Sequence, residues 1–299
     1  MNRPVTDEQF EQTARLAVSR ALSPDRGFRV DRAEAYHCAS GKPSAFIRPT
    51  LAFRTAKTLG IVGGSSALGK HRVSLMDIAR CGAALQLAHE STLPADDWMD
   101  QETKRRGQIP LYAHPDYGPE VAVMTSLRLL SRVYCLVAQT SFSSKTKKEI
   151  TLLFDRTAQD ISRGQEIDLF PPRALFPEKV IEAYRKTGAL FGYSAELGAL
   201  VVGASKEQRS LARGIGECAG VLYQLRDDIT DLSRDTSEAK GRRGVHGVAV
   251  SLPAILNQGE VRAVEKKYVA RIEESIGALP RAERSPLGEF VTGFISRLK

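Results

Sequence analysis

Long apolar runs are the feature that this sequence most clearly lacks. No uninterrupted apolar stretch approaches the roughly 20 residues that a helix needs to cross a bilayer. The opening residues, MNRPVTDEQFEQTARL, contain no apolar stretch of the kind found in secretory signals. We therefore expect a cytoplasmic protein with no integral membrane segment.

Cysteine is also scarce, and its spacing excludes the common metal sites. The four cysteines lie far apart in the sequence and form no pair with the spacing of zinc ligands; they are Cys38, Cys81, Cys135 and Cys218. This pattern is typical of core thiols in a reducing compartment.

Motifs for nucleic-acid recognition are missing as well. The net charge is +8, which fits nucleic acid, a membrane surface or an anionic substrate. The basic residues are spread along the chain, and no basic stretch with interleaved aromatic residues occurs. We expect no nucleic-acid partner, and a phosphorylated small molecule accounts for the charge equally well.

Strand patterns, repeats, low-complexity segments and linkers are absent too, so an all-α fold is expected. Hydrophobic residues make up 42% and charged residues 26% of the chain, which suits a soluble protein with a sizeable core. Thr6 and Gln9 form a capping box that opens the first amphipathic stretch. The predicted helices are 6–22, 50–59, 74–93, 120–141, 145–163, 177–203, 206–232, 260–276 and 281–298, with 24–49 mostly loop. The simplest interpretation is one domain over residues 1–299, with some helices buried on every face.

One glycine-rich segment imitates a nucleotide-binding loop. Residues 64–70 match the pattern G-x-x-x-x-G-K, which cradles phosphates in P-loop proteins. A P-loop continues with Ser or Thr, but here the next residue is His71, and no strand is predicted before the segment. We interpret the segment as a connection between two helices.

Two aspartate clusters indicate a metal-dependent site. Asp96, Asp97 and Asp100 follow the predicted helix 74–93, and residues four apart share one face of a helix. Crowded carboxylates repel one another unless a cation lies between them. Hard oxygen ligands of this kind suit Mg²⁺, which keeps several waters and binds substrate phosphates through one or two carboxylates.

The second cluster repeats this spacing. Asp227, Asp228 and Asp231 close a largely apolar helix. A single D-D-x-x-D would be as consistent with a solvated helix end as with a ligand set. Two copies in one all-α chain favour two carboxylate sets that hold a diphosphate between bridging Mg²⁺ ions.

With these clusters, the sequence resembles the trans-prenyl diphosphate synthases. Residues 89–107, which run from His89 through the first cluster to Arg-Arg-Gly, are similar to the family's first aspartate-rich block. Residues 164–168 (Gly-Gln-Glu-Ile-Asp) resemble its G-Q-x-x-D block, and residues 186–191 its K-T block. Residues 224–231 resemble its second aspartate-rich block. The blocks occur in the family's order, within a motif-bearing core of about 41–253.

The resemblance implies a fold, an activity and a set of site residues. The fold is an isoprenoid synthase helical bundle around a central cavity, usually a homodimer. The activity is Mg²⁺-dependent condensation of isopentenyl diphosphate with an allylic diphosphate. The implied metal ligands are Asp96, Asp100 and Asp227, with Asp97, Asp228 and Asp231 as catalytic partners.

The resemblance also assigns the groups that hold the two substrates. Arg105 and Lys186 would hold the allylic diphosphate, because guanidinium and ammonium groups match phosphate oxygens. Isopentenyl diphosphate would be held by Arg48, His89 and Arg106. Gln224 and the carbonyl of Thr187 would face the allylic cation.

The chain departs from the family pattern in two places. In the family's G-K-x-x-R-P stretch, Ala45 stands where a lysine is usual, and Lys42 is the nearest replacement. After the second cluster, Gly244 and Ala249 occupy the places of an aspartate and a lysine. The candidate replacements there are Lys240, Arg242 and Arg243.

Product length and two competing functions complete the expectations. In the family that the sequence resembles, bulky residues four or five positions before the first aspartate close the pocket and keep products short. Here those positions are Thr92 and Ser91, and the preceding turns offer Ala88 and Ala84, all small. The resemblance therefore implies a pocket that extends beyond a C15 product. We predict C20 geranylgeranyl diphosphate, with C15 or C25 and longer products as alternatives. A terpene cyclase of the same fold and a non-catalytic subunit of a heteromeric synthase are the alternative functions.

Overall fold

The computed structural model describes residues 5–22, 27–39, 46–62, 72–233, 250–279 and 285–298. Nearly all of the regular structure in these residues is α-helical. The helices are α1 (Asp7–Ala21), α2 (Arg29–Ala39), α3 (Ile47–Leu59), α4 (Leu75–Met99), α5 (Pro119–Ala138), α6 (Ser144–Leu169), α7 (Pro177–Val201), α8 (Lys206–Ser233), α9 (Leu252–Ile255), α10 (Gln258–Gly277) and α11 (Pro286–Leu298). Two short strands, β1 (Ile61–Val62) and β2 (Arg72–Val73), pair with each other.

The described residues group into two compact units. The first contains the described residues up to Phe53, together with Val62 and Val73–Lys147. The second contains Arg54–Ile61, Arg72 and the described residues from Lys148 onward. The sequence-based expectation of a single domain stays a prediction.

The core of the first unit lies around α4. This helix packs against α1 and α5, and α2 packs against α5. Phe10 of α1 stacks on Phe53, with ring centroids 4.3 Å apart, and both rings are buried. Residues 81–88 of α4 are buried without interruption, which is the all-round burial that the sequence predicts for some helices.

The core of the second unit lies around α7, which packs closely against α8. Residues 188–202 are all buried, so the second half of α7 has no solvent-exposed face. The buried rings of Phe191 and Phe294 are 5.8 Å apart, which joins α11 to this core.

Five sequence-based expectations need correction. Residues 24–49 are not mostly loop, because α2 occupies Arg29–Ala39. The helix expected to end at residue 93 continues to Met99. The helix expected over residues 145–163 continues to Leu169. The short strand β1 comes before the glycine-rich segment, where no strand was expected. Of the four cysteines, which are all free, Cys135 is exposed rather than part of the core.

Helix α5 bears on the expectation that no segment could span a membrane. Within the described residues, Pro119–Ala138 is long and apolar enough to cross a membrane by length and composition alone, with a mean hydropathy of 1.5. Core helices of soluble proteins pass the same test. Here 44% of the apolar window is buried against the rest of the protein, and Arg128 and Arg132 lie within the helix.

Candidate active site

The first aspartate cluster lies at the C-terminal end of α4, beyond an internal proline. Pro94 has no N–H, so the carbonyl oxygen of Glu90 loses the helix hydrogen bond that it would otherwise accept. The Nε2 atom of His37, on α2, lies 3.2 Å from this carbonyl and takes the missing donor's place. The helix can therefore continue through Pro94, and Asp96 lies in its last turn with Asp100 as the C-cap.

Within this cluster, Asp97 is set apart from its neighbours. Its side chain is buried, whereas Asp96 and Asp100 are half-buried. The Nε atom of Arg105 donates to Asp97 Oδ1 at 2.6 Å, and Nη2 forms an ion pair with the same oxygen. Burial and repulsion from Asp96 raise the pKa of Asp97, and Arg105 opposes this increase only in part. Asp97 therefore anchors Arg105, a predicted ligand of the allylic diphosphate.

The next residue, Arg106, is held in an unusual turn. Arg106 and Gly107 have φ values of +54° and +84°, and both backbone hydrogen bonds between Arg105 and Gln108 close the turn around them. A left-handed conformation is costly for a residue with a Cβ atom and often occurs at functional sites. Both terminal nitrogens of Arg106 bind the carboxylate of Glu90, at 2.9 and 3.1 Å.

His89 and Arg48, which are also predicted to hold isopentenyl diphosphate, belong to the same unit. Both side chains are half-buried. Desolvation and the positive charge of Arg48 lower the pKa of His89 well below the usual histidine range. The imidazole of His89 is therefore neutral near pH 7 before a ligand binds, and it can offer a diphosphate a hydrogen bond.

In the second unit, a close contact between α6 and α7 positions Lys186. A Cβ atom on Gly164 would lie 2.7 Å from the backbone nitrogen of Lys186, so only glycine allows this approach. As a result, Lys186 Nζ donates to Gln165 Oε1 at 3.0 Å and forms an ion pair with the buried carboxylate of Asp168. The G-Q-x-x-D block thus supplies the side chains that orient Lys186.

A second close contact brings α7 and α8 together. A Cβ atom on Gly216 would lie 2.4 Å from the carbonyl oxygen of Phe191, and one on Gly220 would lie 2.6 Å from the Cα of Gly188. Backbone atoms cannot move aside as flexible side chains can. These glycines therefore set the distance at which side chains of α7 and α8 can form hydrogen bonds.

A buried chain of hydrogen bonds spans this helix pair. Thr187 Oγ1 donates to Gln224 Oε1, and Gln224 Nε2 donates to Asp228 Oδ1, both at 2.9 Å. The hydroxyl of Tyr184 donates to the other oxygen of Asp228 and accepts the backbone N–H of Leu252 at 3.0 Å. Burial and the Asp228 carboxylate raise the pKa of Tyr184 well above its usual range, so this hydroxyl stays protonated.

The structure thus groups the predicted site residues into two sets, one in each unit. The first unit holds the first aspartate cluster with Arg48, His89, Arg105 and Arg106, and the second unit holds Lys186, Thr187, Gln224 and the second cluster. Asp227 is half-buried, like Asp96 and Asp100. Lys42, Ala45, Lys240, Arg242, Arg243, Gly244 and Ala249 lie outside the described residues, as do the glycine-rich segment 64–70 and the side chain of Asp231.

The carboxylates of the described residues do not form a ready-made metal cage. Across the residues that the structure describes, no three His, Cys, Asp or Glu side chains form a group that could hold a metal ion. The oxygen donors that the two units do present nevertheless suit Mg²⁺, since this ion commonly takes only one or two protein carboxylates and completes its shell with water and phosphate oxygens.

Several residues that support the site were not predicted from the sequence. Glu90 and His37 support the first set, and Tyr184 and Asp168 support the second. Asp168 is the last residue of the G-Q-x-x-D block, so the sequence pattern pointed to its importance. Glu90, His37 and Tyr184 gave none, because the partners that make them important come from other helices.

The residues predicted to control product length lie on α4. Ala84, Ala88 and Ser91 are buried, and Thr92 is half-buried. The hydroxyl of Ser91 donates to the carbonyl of Ala88 at 2.8 Å, so its polar group is satisfied by its own helix. A stripe of small side chains therefore runs along α4 before the first cluster.

Comparisons with known proteins give a family model, curated relatives and solved structures to which the chain is similar. Residues 31–256 match the model of the family described as polyprenyl synthetase. The geranylgeranyl diphosphate synthase of Sulfolobus acidocaldarius is 35% identical over 162 residues, which are 52% of this chain and 48% of that protein. The short chain isoprenyl diphosphate synthase of Methanothermobacter thermautotrophicus is 29% identical over 290 residues, which are 96% of this chain and 82% of that protein.

A solved structure resembles the whole chain. The geranyltransferase from Helicobacter pylori, complexed with magnesium and isoprenyl diphosphate, matches with a TM-score of 0.76 and 18% sequence identity. The match covers 99% of this chain and 99% of that one. At this identity the likeness is evidence for the fold, and it confirms the all-α class expected from the sequence.

Proposed function

Because the chain belongs to the polyprenyl synthetase family, a family of trans-prenyl diphosphate synthases, we propose that it condenses isopentenyl diphosphate with an allylic diphosphate, head to tail. One observation supports this proposal above the others. The family match over residues 31–256 includes both aspartate clusters and every cationic residue of the two sets that is predicted to hold phosphate. The names of the two relatives point to the same class of substrates.

The carboxylates of the two clusters divide into two roles under this proposal. Asp97 and Asp228 are buried and hold other protein groups, so they position the site. Asp96, Asp100 and Asp227 are the proposed Mg²⁺ ligands, since each is half-buried and presents hard oxygen donors. Bound Mg²⁺ would supply charge that stabilises the departing diphosphate.

The cationic side chains would hold the diphosphates and exclude water from them. Arg105 and Lys186 are each fixed by a buried carboxylate, so little side-chain entropy remains to be lost when a phosphate binds. Arg48, His89 and Arg106 would hold isopentenyl diphosphate. The hydrogen bond from Thr187 to Gln224 orients the Gln224 amide, which would face the allylic cation.

We further propose C20 geranylgeranyl diphosphate as the main product. The support is the stripe of small side chains on α4, since a growing chain that runs past Ser91, Ala88 and Ala84 meets no bulky group on this helix. The Sulfolobus relative bears the name of a C20 synthase. Products of C15 or of C25 and longer remain the alternatives.

We also propose that the protein is a cytoplasmic homodimer. Met124, Leu127 and Tyr134 give α5 an apolar face that is exposed in the single chain, with 62% of Leu127 accessible. A second copy of the chain would cover this face. Sedimentation of the purified protein would give the mass of two chains, and a single-chain mass would contradict the dimer.

The direct test of the proposed function is an incubation of purified protein with Mg²⁺, isopentenyl diphosphate and allylic primers of different length. Diphosphate release together with a longer prenyl diphosphate is the expected result. Release of diphosphate without incorporation of isopentenyl diphosphate would indicate a cyclase. Well-folded protein that is inactive with every primer would indicate a non-catalytic subunit.

A further inference from the structure

Glu90 lies at the centre of a buried polar cluster beside the proposed isopentenyl diphosphate site. Only 4% of its surface is accessible. Gln86 Nε2 donates to its carboxylate at 2.7 Å, and His37 Nε2 lies 3.3 Å from its other oxygen. The two terminal nitrogens of Arg106 complete the cluster at 2.9 and 3.1 Å. A glutamate in this position therefore binds a guanidinium that the proposed function assigns to substrate.

The ion pair between Arg106 and Glu90 is bidentate, which is the geometry that arginine also uses to bind phosphate. Burial alone would raise the pKa of Glu90, but hydrogen bonds from His37 and Arg106 hold it well below the usual glutamate range. The carboxylate is therefore charged near pH 7. Arg106 keeps this pairing although its backbone adopts the left-handed conformation, with φ at +54°.

The charge of the proposed site is reduced as a consequence. Arg48 and Arg106 each contribute one positive charge, the imidazole of His89 is neutral, and Glu90 contributes one negative charge. The chain has Ala45 where the family usually has a lysine. A diphosphate thus meets fewer net positive charges than the three named ligands suggest, and it competes with a carboxylate for Arg106.

We propose that Glu90 sets the affinity of this protein for isopentenyl diphosphate, because its carboxylate occupies the terminal nitrogens of Arg106 that the incoming diphosphate must share or take. This inference rests on the proposed function, since it assumes that Arg106 faces isopentenyl diphosphate. Glu90 acts through Arg106 and has no direct role in the bond-forming step.

The test is Glu90→Gln, which keeps the shape of the side chain and an acceptor oxygen but removes the charge. Glu90→Gln removes a negative charge that lies 2.9 and 3.1 Å from the terminal nitrogens of Arg106. The KM for isopentenyl diphosphate should therefore fall by about tenfold. The KM for the allylic primer and kcat stay within about twofold. A KM for isopentenyl diphosphate that is unchanged would overturn the proposal, and a higher KM with lower kcat would show that Glu90 only orients Arg106.

Glu34→Gln is the matched control. Glu34 is also buried in the first unit and binds arginine, with Arg132 Nη2 at 3.0 Å, but neither residue belongs to the proposed site. Its substitution should leave the KM for isopentenyl diphosphate within about twofold. A tenfold drop in this control would attribute the effect to general loosening of the unit and would count against Glu90.

Calorimetric titration with isopentenyl diphosphate in the absence of primer separates this inference from the proposed function. If wild-type protein shows no turnover, the proposed function fails, but tighter binding by Glu90→Gln than by wild type still supports the role of Glu90. Equal binding contradicts that role whatever the turnover. If Glu90→Gln unfolds below the assay temperature, the titration of both proteins is carried out at a lower temperature at which both are folded, and the same comparison of affinities applies.

Discussion

The hydroxyl of Tyr184 donates a hydrogen bond to the carboxylate of Asp228, and this contact joins α7 to α8 in the interior of the second unit. The same hydroxyl accepts the backbone N–H of Leu252 at the start of α9. Asp228 also accepts from Gln224, which leaves both of its oxygens engaged by protein groups. The second acid of the cluster is thereby fixed, and it fixes the helix that presents Asp227.

Tyr184→Phe should therefore destabilise the second unit. The substitution leaves a buried carboxylate oxygen and the N–H of Leu252 without the hydroxyl, which costs about 1–3 kcal/mol. Urea denaturation measures this loss. The control is Tyr117→Phe, at a half-buried tyrosine of the first unit, which should change the free energy of unfolding by less than about 0.5 kcal/mol. Equal stability of Tyr184→Phe and wild type would show that the hydroxyl contributes nothing.

Two glycines of α8 test the close contact between α7 and α8. Gly216→Ala places a Cβ atom 2.4 Å from the carbonyl oxygen of Phe191, so the helices must separate, at a cost of about 1–3 kcal/mol or more. Gly214→Ala, half a turn away, meets no atom within 4 Å and should stabilise the helix by up to about 1 kcal/mol. Thermal unfolding of the two variants compares them. Similar melting temperatures of the two variants would mean that Gly216 does not set the distance between α7 and α8.

The stability of the protein should depend on pH through Glu90. Its folded-state pKa is depressed, so the carboxylate contributes stability that is fully present above its unfolded value of 4.5 and is lost as the pH falls toward the folded value. The free energy of unfolding of wild type should therefore fall more steeply below about pH 5 than that of Glu90→Gln. Glu120→Gln, at an exposed position, serves as the control and should follow wild type. Parallel curves for Glu90→Gln and wild type would contradict the assignment.

Ser91→Phe tests the proposal on product length. A phenyl ring in the middle of the small-residue stripe of α4 would block a chain that grows along this helix, so the main product should shorten to C15 while diphosphate release continues. Chromatography of dephosphorylated products measures the change. Ser162→Phe, at an exposed site on α6, should leave product length unaltered. If the wild type makes a C15 product and Ser91→Phe does not change its length, the proposal that the growing chain runs along α4 is wrong.

Local patterns made much of the fold and of the site predictable. Strong helix formers at helical spacing predicted α4 to α8 within a few residues, except at the C-terminal ends of α4 and α6. The i, i+4 spacing predicted that Asp96 and Asp100 share the end of one helix. These features depend only on residues that are close together in the sequence, so a single sequence is sufficient to predict them.

Long-range contacts explain what the sequence did not reveal. Helix α2 is short and polar, and its formation depends on Asp31 and Glu34, which pair with arginines of α5. The continuation of α4 through Pro94 depends on His37, which is 53 residues from Glu90 in the chain. The arginine partners of α2 cannot be inferred from the residues next to α2, and the His37 contact cannot be inferred from the residues next to Pro94.

The measurement that tests the central claim most directly is the mass of the prenyl product formed by wild type, Asp96→Asn and Asp227→Asn with Mg²⁺ and both substrates. Asn keeps the size of Asp but removes the charge that binds metal, so turnover should fall by about 10²–10⁴-fold in each variant while the melting temperature is kept. Asp116→Asn, at an exposed loop position, is the control with normal turnover. Wild-type protein should give an elongated prenyl diphosphate whose formation stops when Mg²⁺ is chelated. Near-normal turnover in both aspartate variants, or no elongated product from folded wild type, would contradict the account.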